Sequence, residues 1–368
     1  MNNKTRSIAV KPALESIDYY MVGISRLAGF SNPIKLSSNE SALGMSPLAL
    51  EACKKSAGQC HLYPEVDTEK LAQAIASRHR LNPERMAFGP GSDELLQRIV
   101  NAFTGPGQQL VHSKNAYMQF PIYAKLAGAT AVAAEDVDLR YSIDSILGQV
   151  TEKTRCVLLA NPDNPSGTYL GGDEIRRLHR SLPANVLVII DAAYDEYALA
   201  DDYESGTNLV HEFENIIVTR TFSKVHGMAG LRLGWCYGPK WVIELLTRIG
   251  PSFPVNTIAN AAGIASMQDL QHTAKVLDHN SRWIHTLGDE FAKLGLKVYP
   301  SQTNFILVQF PPDCGASASQ TNRHLNANGI IPRQFALEDF SDKLRFTVGT
   351  GDEMEKTIDV MQRFFHSR

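Results

Sequence analysis

The sequence predicts an α/β fold: a large domain with a mostly parallel, seven-stranded type of sheet covered by helices, and a smaller α+β domain. Short, continuous apolar runs, typical of strands buried on both faces of a parallel sheet, recur through the middle of the chain. These runs lie at 156–160, 186–190 and 216–219. Amphipathic, helix-like stretches lie at 93–103, 173–182 and 241–248. The alternation of strand and helix indicates crossover connections between parallel strands.

The last third of the chain has a different pattern. A long helical stretch over about 257–294 leads into an apolar strand at 304–310. Residues 343–348 then alternate, with Arg345 and Thr347 on one face and apolar residues on the other. This order of elements is typical of an α+β domain.

The length of 368 residues exceeds the size at which one hydrophobic core stops growing. The first thirty residues contain isolated proline and glycine residues and no clear core pattern, and prolines interrupt the chain near 251–254. We therefore expect an N-terminal arm at 1–32, a large domain at 33–255 and a small domain at 256–368.

Composition excludes several classes of protein. The formal net charge is −3 and no basic block occurs, which argues against a nucleic-acid partner. The five cysteines are scattered and form no C-x-x-C pair, so we expect neither a disulfide framework nor a metal site. No apolar run resembles a signal peptide or reaches the length of a membrane span, which favours a cytoplasmic enzyme without membrane contact.

Lys224 is the first candidate for chemistry. It ends the segment Thr219-Arg-Thr-Phe-Ser-Lys, directly after an apolar run, and Arg232 follows it among glycines. A lysine beside hydroxyl groups and a second cation suits Schiff-base chemistry, and hydroxyls with an arginine suit a phosphate. A lone Ser-Lys pair is common, so this segment needs support from elsewhere in the chain.

Three further segments supply that support. Asp191 follows a buried run, where ligands bind in open α/β sheets, and an acid there can hold a pyridine nitrogen protonated. The turn 161–167 also follows a buried run, and Gly89-Pro-Gly-Ser-Asp93 opens a helix whose N-terminus is suited to an anion. Each segment alone fits an ordinary cap or turn. Together they fit one ligand with a phosphate, a pyridine nitrogen, a phenolic oxygen and an aldehyde.

With these residues in view, the sequence resembles the fold-type I aminotransferases that use pyridoxal 5′-phosphate, and among them the histidinol-phosphate aminotransferase family. The resemblance covers about 34–350. Its motifs are Lys35–Glu40, His61–Pro64, Gly91–Glu94, Asn164–Gly167, Asp191–Tyr194, Thr221–Lys224, Gly230–Arg232 and Leu344–Gly349.

The resemblance implies a complete cofactor site. Lys224 would bind pyridoxal phosphate covalently and transfer the proton, with Asp191 on the pyridine nitrogen and Tyr194 as the third catalytic residue. The other implied cofactor contacts are Gly91, Ser92, Asp93, Tyr117, Asn164, Thr221, Ser223 and Arg232, together with Tyr63 from the second subunit of a homodimer.

The resemblance also implies a substrate pocket. Arg345 would bind a carboxylate and Arg333 would lie near a substrate phosphate, while Tyr20 and Asn39 would line the pocket. The expected reaction transfers an amino group from L-histidinol phosphate to 2-oxoglutarate.

Three alternatives remain open at this point. The arm reads Tyr20-Met-Val-Gly-Ile where the family often has Tyr-Val-Pro-Gly-Lys, and Asn39–Gly44 lacks the usual proline. Both departures border the substrate pocket, so an aromatic amino-acid aminotransferase is the second hypothesis. A lyase or decarboxylase on the same fold is the third, because fold does not determine reaction type. A ligand sensor fused to a DNA-binding module is the fourth, although little chain precedes the homologous region.

Overall fold

The computed structural model describes residues 8, 10–17, 23–64 and 68–367. The helices in those ranges are α1 (Pro12–Glu15), α2 (Pro47–Ser56), α3 (Glu69–His79), α4 (Ser92–Phe103), α5 (Phe120–Leu126), α6 (Ile143–Gly148), α7 (Gly172–Ser181), α8 (Gly206–Glu212), α9 (Lys240–Ile249), α10 (Thr257–Gln268), α11 (Leu270–Lys293), α12 (Ala318–Ala327) and α13 (Gly351–His366). The strands are β1 (Ile34–Leu36), β2 (Met86–Gly89), β3 (Gln109–Ser113), β4 (Thr130–Ala134), β5 (Thr154–Ala160), β6 (Leu187–Asp191), β7 (Ile216–Thr221), β8 (Gly234–Tyr237), β9 (Lys297–Val298), β10 (Phe305–Gln309), β11 (Ile330–Gln334) and β12 (Lys343–Thr347).

The larger sheet confirms the predicted mostly parallel architecture. Its strand order in the described residues is β2-β8-β7-β6-β5-β3-β4. Strand β8 runs antiparallel to its two neighbours, and every other pair is parallel. The three apolar runs identified in the sequence form β5, β6 and β7, and the three amphipathic stretches form α4, α7 and α9. Helices connect the parallel strands, as the crossover rule requires.

The smaller sheet contains the alternating strand predicted near the C-terminus. Its order is β1-β11-β12-β10-β9, with β1 parallel to β11 and the remaining pairs antiparallel. Strand β1 comes from the N-terminal part of the chain, and its Leu36 belongs to the small hydrophobic core between this sheet, α11 and α13. The chain therefore contributes to the small sheet before it enters the large one.

The long helix predicted at 257–294 is two helices in the structure. They are separated at Asp269, whose backbone dihedral angles are not helical (φ −89°, ψ 74°). The Asp269 carboxylate accepts a hydrogen bond from the backbone N–H of His272 and so caps the second helix. It also accepts from the Ser46 hydroxyl at 2.6 Å. A capping aspartate with a distant partner thus breaks an otherwise continuous helical pattern.

Helix α10 packs on the larger core, since Ala259 and Ala262 are fully buried among residues of α2, α3 and the large sheet. Helix α11 packs against α13 and the small sheet. Across the described ranges, no helix is both long and apolar enough to cross a membrane. In the same ranges no group of three or more histidine, cysteine, aspartate or glutamate side chains could hold a metal ion.

Candidate active site

The register of three parallel strands brings the predicted site segments together. Ala160 of β5 is paired with Asp191 of β6, which is paired with Thr219 of β7. These strands are therefore level near their carboxyl ends. The segments that follow them carry Asn164, Tyr194 and Lys224, and meet at one edge of the sheet, as expected for an open α/β sheet.

A cavity of about 270 Å³ lies at this edge. That volume is just below the lower end of the usual range for small-molecule sites, about 300–1,000 Å³. Most of the residues predicted from the sequence line it: Asn39, Ser92, Asp93, Tyr117, Asn164, Asp191, Tyr194, Thr221, Ser223, Lys224, Arg232, Arg333 and Arg345.

Asp191 lies deep in the site and is 7% exposed. Its Oδ1 accepts a hydrogen bond from the hydroxyl of Thr219 at 3.3 Å. Burial, followed by the nearby charge of Asp93, raises the pKa of Asp191 to about 7. A buried carboxylate of this kind favours a cation beside it, and a protonated pyridine nitrogen would supply one.

Lys224 is next to Tyr194 and Asn39. Its Nζ donates to the backbone oxygen of Asn39 at 3.3 Å and is 5.5 Å from the centre of the Tyr194 ring. The side-chain amide of Asn39 in turn donates to the Tyr194 hydroxyl at 2.8 Å. The amine that the sequence assigns to Schiff-base chemistry therefore lies in the same pocket as the acid Asp191.

The first turn of α4 forms one wall of a polar cradle at the cavity. Gly91 precedes the helix with a φ of +93°, so that the backbone turns directly into Ser92. Arg232 donates from Nη1 to the Ser223 hydroxyl at 3.3 Å. The Thr221 hydroxyl donates to Ser223 Oγ at 3.0 Å. A helix N-terminus, two hydroxyls and a guanidinium group together suit a phosphate.

Asn164 is held by the buried residue before it. Asp163 accepts hydrogen bonds from the Tyr141 hydroxyl at 2.5 Å and from the Ser166 hydroxyl at 2.6 Å. Burial raises the pKa of Asp163 to about 7. The Asn164 side-chain oxygen accepts from Arg345 Nη1, which links this turn to the small sheet. Asp163 therefore fixes the turn that presents Asn164 to the cavity.

Two arginines approach the cavity from the small sheet. Arg333 and Arg345 are both buried and are register partners on β11 and β12. Arg345 donates from Nη2 to the backbone oxygen of Ser37 at 3.0 Å. Both guanidinium groups lie over the Phe335 ring, at 5.3 and 5.4 Å from its centre. This end of the cavity is suited to an anionic group of a substrate.

Sequence reasoning missed part of this lining. Phe335, Met118, Ser37 and Gly23 all line the cavity. Phe335 is two residues after Arg333, on a segment with no signature of its own, and Ser37 contributes only a backbone oxygen. No residue pattern could have indicated Phe335, whereas Ser37 lies inside the Lys35–Glu40 motif, which was the available signal for it.

Two predicted site residues, Gly91 and Tyr63, do not line the cavity in this chain, and a third falls on a part of the chain that the structure does not describe. Gly91 lies beside it, because a Cβ there would be 2.2 Å from Arg232 Nη2. Tyr63 is 82% exposed and stacks on Phe253, with ring centres 4.5 Å apart. Tyr20 lies outside the described residues. The roles of all three stay predictions.

The residues present fit pyridoxal phosphate. Lysine, the buried acid and the phosphate cradle lie around one cavity, with Tyr194 and Asn164 also on its wall. Gly234 lies against the backbone at the start of α4, where the phosphate cradle forms. A Cβ on Gly234 would come within 2.5 Å of the backbone of Gly91 and Ser92. Glycine is thus required for β8 to approach the start of α4.

Comparisons with known proteins agree with this geometry. Residues 31–361 match the family model for aminotransferases of class I and II. The chain is 42% identical over 356 residues to the histidinol-phosphate aminotransferase of Paramagnetospirillum magneticum, covering 97% of this chain and 98% of that protein. It is 41% identical over 359 residues to the histidinol-phosphate aminotransferase of Maricaulis maris, covering 97% and 99%.

Solved structures show the same relationship in three dimensions. The crystal structure of the Sinorhizobium meliloti histidinol-phosphate aminotransferase, in complex with pyridoxal-5′-phosphate, superposes with a TM-score of 0.87 at 27% identity, over 99% of both chains. An aspartate aminotransferase from Thermus thermophilus, at 18% identity and a TM-score of 0.76 over 90% of this chain and 91% of that one, shows the shared fold. The chain belongs to the class I and II aminotransferases and, among them, to the histidinol-phosphate aminotransferase family.

Proposed function

We propose that this enzyme transfers the amino group of L-histidinol phosphate to 2-oxoglutarate, with pyridoxal 5′-phosphate as cofactor. One observation carries the proposal: Lys224, Asp191 and the two arginines of the small sheet line a single cavity. The names of the relatives at 41–42% identity support this donor over an aromatic amino acid. Among the described residues that line the cavity, no feature specifically favours the aromatic alternative.

The cofactor supplies an aldehyde that accepts the amino group and a ring that withdraws electrons from the reacting carbon. Lys224 Nζ holds the cofactor and moves the proton from the substrate carbon. Asp191, as a carboxylate, holds a proton on the pyridine nitrogen, and this pairing offsets the cost of burying the acid. Tyr194 and Asn164 would hydrogen-bond the ring oxygen of the cofactor, and Tyr117 would cover the face of its ring.

The remaining predicted residues anchor the two anionic groups. The N–H groups at Gly91, Ser92 and Asp93 and the side chains of Thr221, Ser223 and Arg232 would bind the cofactor phosphate, which would restrict the motion of the ring before reaction. Arg345 and Arg333 bind the acidic groups of the substrates, namely the phosphate of the donor and the carboxylates of 2-oxoglutarate. Asn39 and Tyr20 complete the substrate pocket in this proposal.

We further propose a homodimer in which Tyr63 reaches the site of the second subunit. The exposure of Tyr63 and its place outside its own cavity support this arrangement. Mixing a Lys224→Ala subunit with a Tyr63→Ala subunit tests it, because one of the two sites in the hybrid then has both residues. Recovery of activity on mixing is expected, and no recovery despite a mixed dimer would contradict the proposal.

The domain division at 1–32, 33–255 and 256–368 is likewise a proposal. The two largest hydrophobic clusters of the described residues support it, because one lies mainly in each of the two larger domains. Leu36 packs in the small core and Ala259 in the large one, so β1 and α10 tie the two domains together. The cytoplasmic location stays a prediction.

The half-reaction tests the proposed function directly. L-Histidinol phosphate or L-phenylalanine is added to the cofactor-loaded enzyme without a keto acid, and the visible absorbance of the cofactor is followed. We expect the absorbance to fall at low concentrations of histidinol phosphate only. A change mainly with phenylalanine would assign the enzyme to the aromatic aminotransferases. A Lys224→Ala variant that still turns over would contradict the catalytic assignment.

A further inference from the structure

Asn39 connects the two sheets at the cavity wall. It is 2% exposed, and its φ of +55° lies in the left-handed region. Its side-chain Nδ2 donates to the Tyr194 hydroxyl at 2.8 Å, and its Oδ1 accepts from the Thr347 hydroxyl at 3.0 Å. Its backbone oxygen accepts from Lys224 Nζ at 3.3 Å and from Asn304 Nδ2 at 3.1 Å. One residue therefore contacts the catalytic lysine, the catalytic tyrosine and the small sheet.

The donors and acceptors in this chain of hydrogen bonds can be assigned. The backbone N–H of Asn39 can only donate, and it donates to Thr347 Oγ1 at 3.0 Å. The Thr347 hydroxyl has one hydrogen of its own, and among the described residues Asn39 Oδ1 is the acceptor of that hydrogen. This places the amide NH₂ of Asn39 on the side of Tyr194. The Tyr194 oxygen then accepts, and its single hydrogen is left for an acceptor inside the cavity.

We propose that Asn39, held by Thr347, is a positioning residue that keeps the hydroxyl hydrogen of Tyr194 directed at the ring oxygen of the bound cofactor. The proposal rests on the proposed contact between Tyr194 and that oxygen. In this proposal Asn39 orients Tyr194 in addition to lining the substrate pocket. Thr347, which was not among the site residues predicted from the sequence, holds Asn39 in place.

The residue type at position 39 follows from this role. Asparagine tolerates the left-handed backbone better than most residues with a side chain. Its amide also combines a donor NH₂ group, which faces the Tyr194 oxygen, with an acceptor oxygen, which faces the Thr347 hydroxyl. An aspartate would keep the shape and lose the donor, so that Tyr194 would donate to it and turn its hydrogen away from the cavity.

The test uses the Asn39→Asp variant, the Tyr194→Phe variant and their combination, each as the cofactor-loaded protein without substrate. The measurement is the pH titration of the cofactor's visible absorbance. A hydrogen bond donated to the ring oxygen stabilises its more negative, deprotonated form, so that losing the bond raises the apparent pKa. We expect each single variant to raise it by about one to two pH units, as for a hydrogen bond to a charged acceptor.

The double variant separates the hydrogen bond from the added charge. If Asn39→Asp acts through Tyr194, the combined variant titrates close to Tyr194→Phe alone, because the two changes remove the same interaction. Shifts that add in full would show a simple charge effect and would overturn the inference, as would an Asn39→Asp variant with no shift. A Tyr194→Phe variant without a shift would instead overturn the proposed cofactor contact of Tyr194, and the inference with it.

Thr347 provides a second test that adds no charge. Thr347→Ser keeps the hydroxyl and should titrate like the unsubstituted protein. Thr347→Val releases the Asn39 amide to rotate and should raise the apparent pKa, although by less than Tyr194→Phe. Equal titrations for the serine and valine variants would overturn the role of Thr347. Cofactor dissociation constants, measured for the same variants, verify that each still forms the site.

Discussion

Arg333 and Arg345 are opposite each other in the antiparallel register of β11 and β12, and both line the active-site cavity. Like charges directly opposite each other destabilise a sheet. Such a pair is expected where an anion binds, since a carboxylate or phosphate offsets the repulsion. The pair therefore identifies the end of the cavity at which the substrate's acidic group binds in the proposed reaction.

Replacing Arg333 with glutamine should weaken the phosphorylated donor selectively. Losing a charge-assisted hydrogen bond of about 1.5–3 kcal/mol predicts a rise of roughly 10- to 100-fold in the KM for L-histidinol phosphate. Steady-state kinetics measure this, with the exposed Arg323→Gln variant on α12 as a matched control that should change nothing. Equal losses with L-phenylalanine as donor would remove the role assigned to Arg333.

Breaking the buried ion-pair cluster behind the site should destabilise the fold. Arg220 is 2% exposed and donates to Asp195 and Glu196 at 2.7 Å each. Arg220→Met leaves two largely covered carboxylates, 10% and 13% exposed, without their cation, at an expected cost of about 3 kcal/mol or more in the free energy of unfolding. Denaturant unfolding of the cofactor-free protein measures this cost.

The control for that experiment is Lys240→Met, which breaks the exposed Lys240–Glu84 pair. Surface pairs contribute little, so that its free energy of unfolding should stay unchanged. If Lys240→Met lowered the free energy of unfolding as much as Arg220→Met, burial of the ion pair would not be the reason for the cost of breaking it.

Asp191→Asn should stabilise the cofactor-free protein increasingly as pH rises. The pKa of Asp191 is raised to about 7 by burial, above its unfolded value, so the native protein holds this proton more tightly than the unfolded chain. The stabilisation from that proton is complete below the unfolded pKa and is lost as pH rises through 7. Asparagine does not titrate in this range, so the Asp191→Asn variant does not lose stability in this way as pH rises.

Its advantage over the unsubstituted protein should therefore grow between about pH 4 and pH 7, by roughly 1.4 kcal/mol per pH unit, and then level off. Unfolding in urea at pH 5 and pH 8 measures the difference. With the cofactor bound, the advantage should disappear, because the pyridine nitrogen then pairs with the carboxylate. A difference that is the same at both pH values would contradict the assignment.

Gly234→Ala should weaken cofactor binding without unfolding the protein. The added Cβ would come within 2.5 Å of the backbone of Gly91 and Ser92, which cannot move aside as a side chain can. Displacing the first turn of α4 removes phosphate contacts, and losing one such contact predicts a rise of roughly tenfold in the cofactor dissociation constant.

Gly288→Ala on α11 is the matched control, because a Cβ there has nothing within 4 Å. It should raise the free energy of unfolding by about 0.5–1 kcal/mol and leave cofactor binding unchanged. Similar losses of cofactor affinity in both variants would show that the close approach of Gly234 is not the cause.

Three strands of the large sheet could be predicted because their signals are local, whereas β2, β3, β4 and β8 were not located from the sequence. Strands β5, β6 and β7 each contain a short continuous apolar run, and Asp191 and Lys224 come after two of these runs. Parallel strands place their carboxyl ends together, so chain order was enough to bring these residues into one site. The break at Asp269 could not be predicted, since the helical pattern continues across it and the Ser46 partner is distant in sequence.

The sequence by itself determined the fold class and the chemical groups of the site, because periodicity and residue type act over a few neighbouring residues. Only the tertiary structure decided which groups touch: Asn39 with Tyr194 and Thr347, Phe335 beneath two arginines, and β1 in the small sheet. Asn39 and Thr347 are 308 residues apart. Asn39 follows β1 and Thr347 ends β12, so their hydrogen bonds form only when distant parts of the chain assemble into the small sheet, and a contact of this kind has no local pattern.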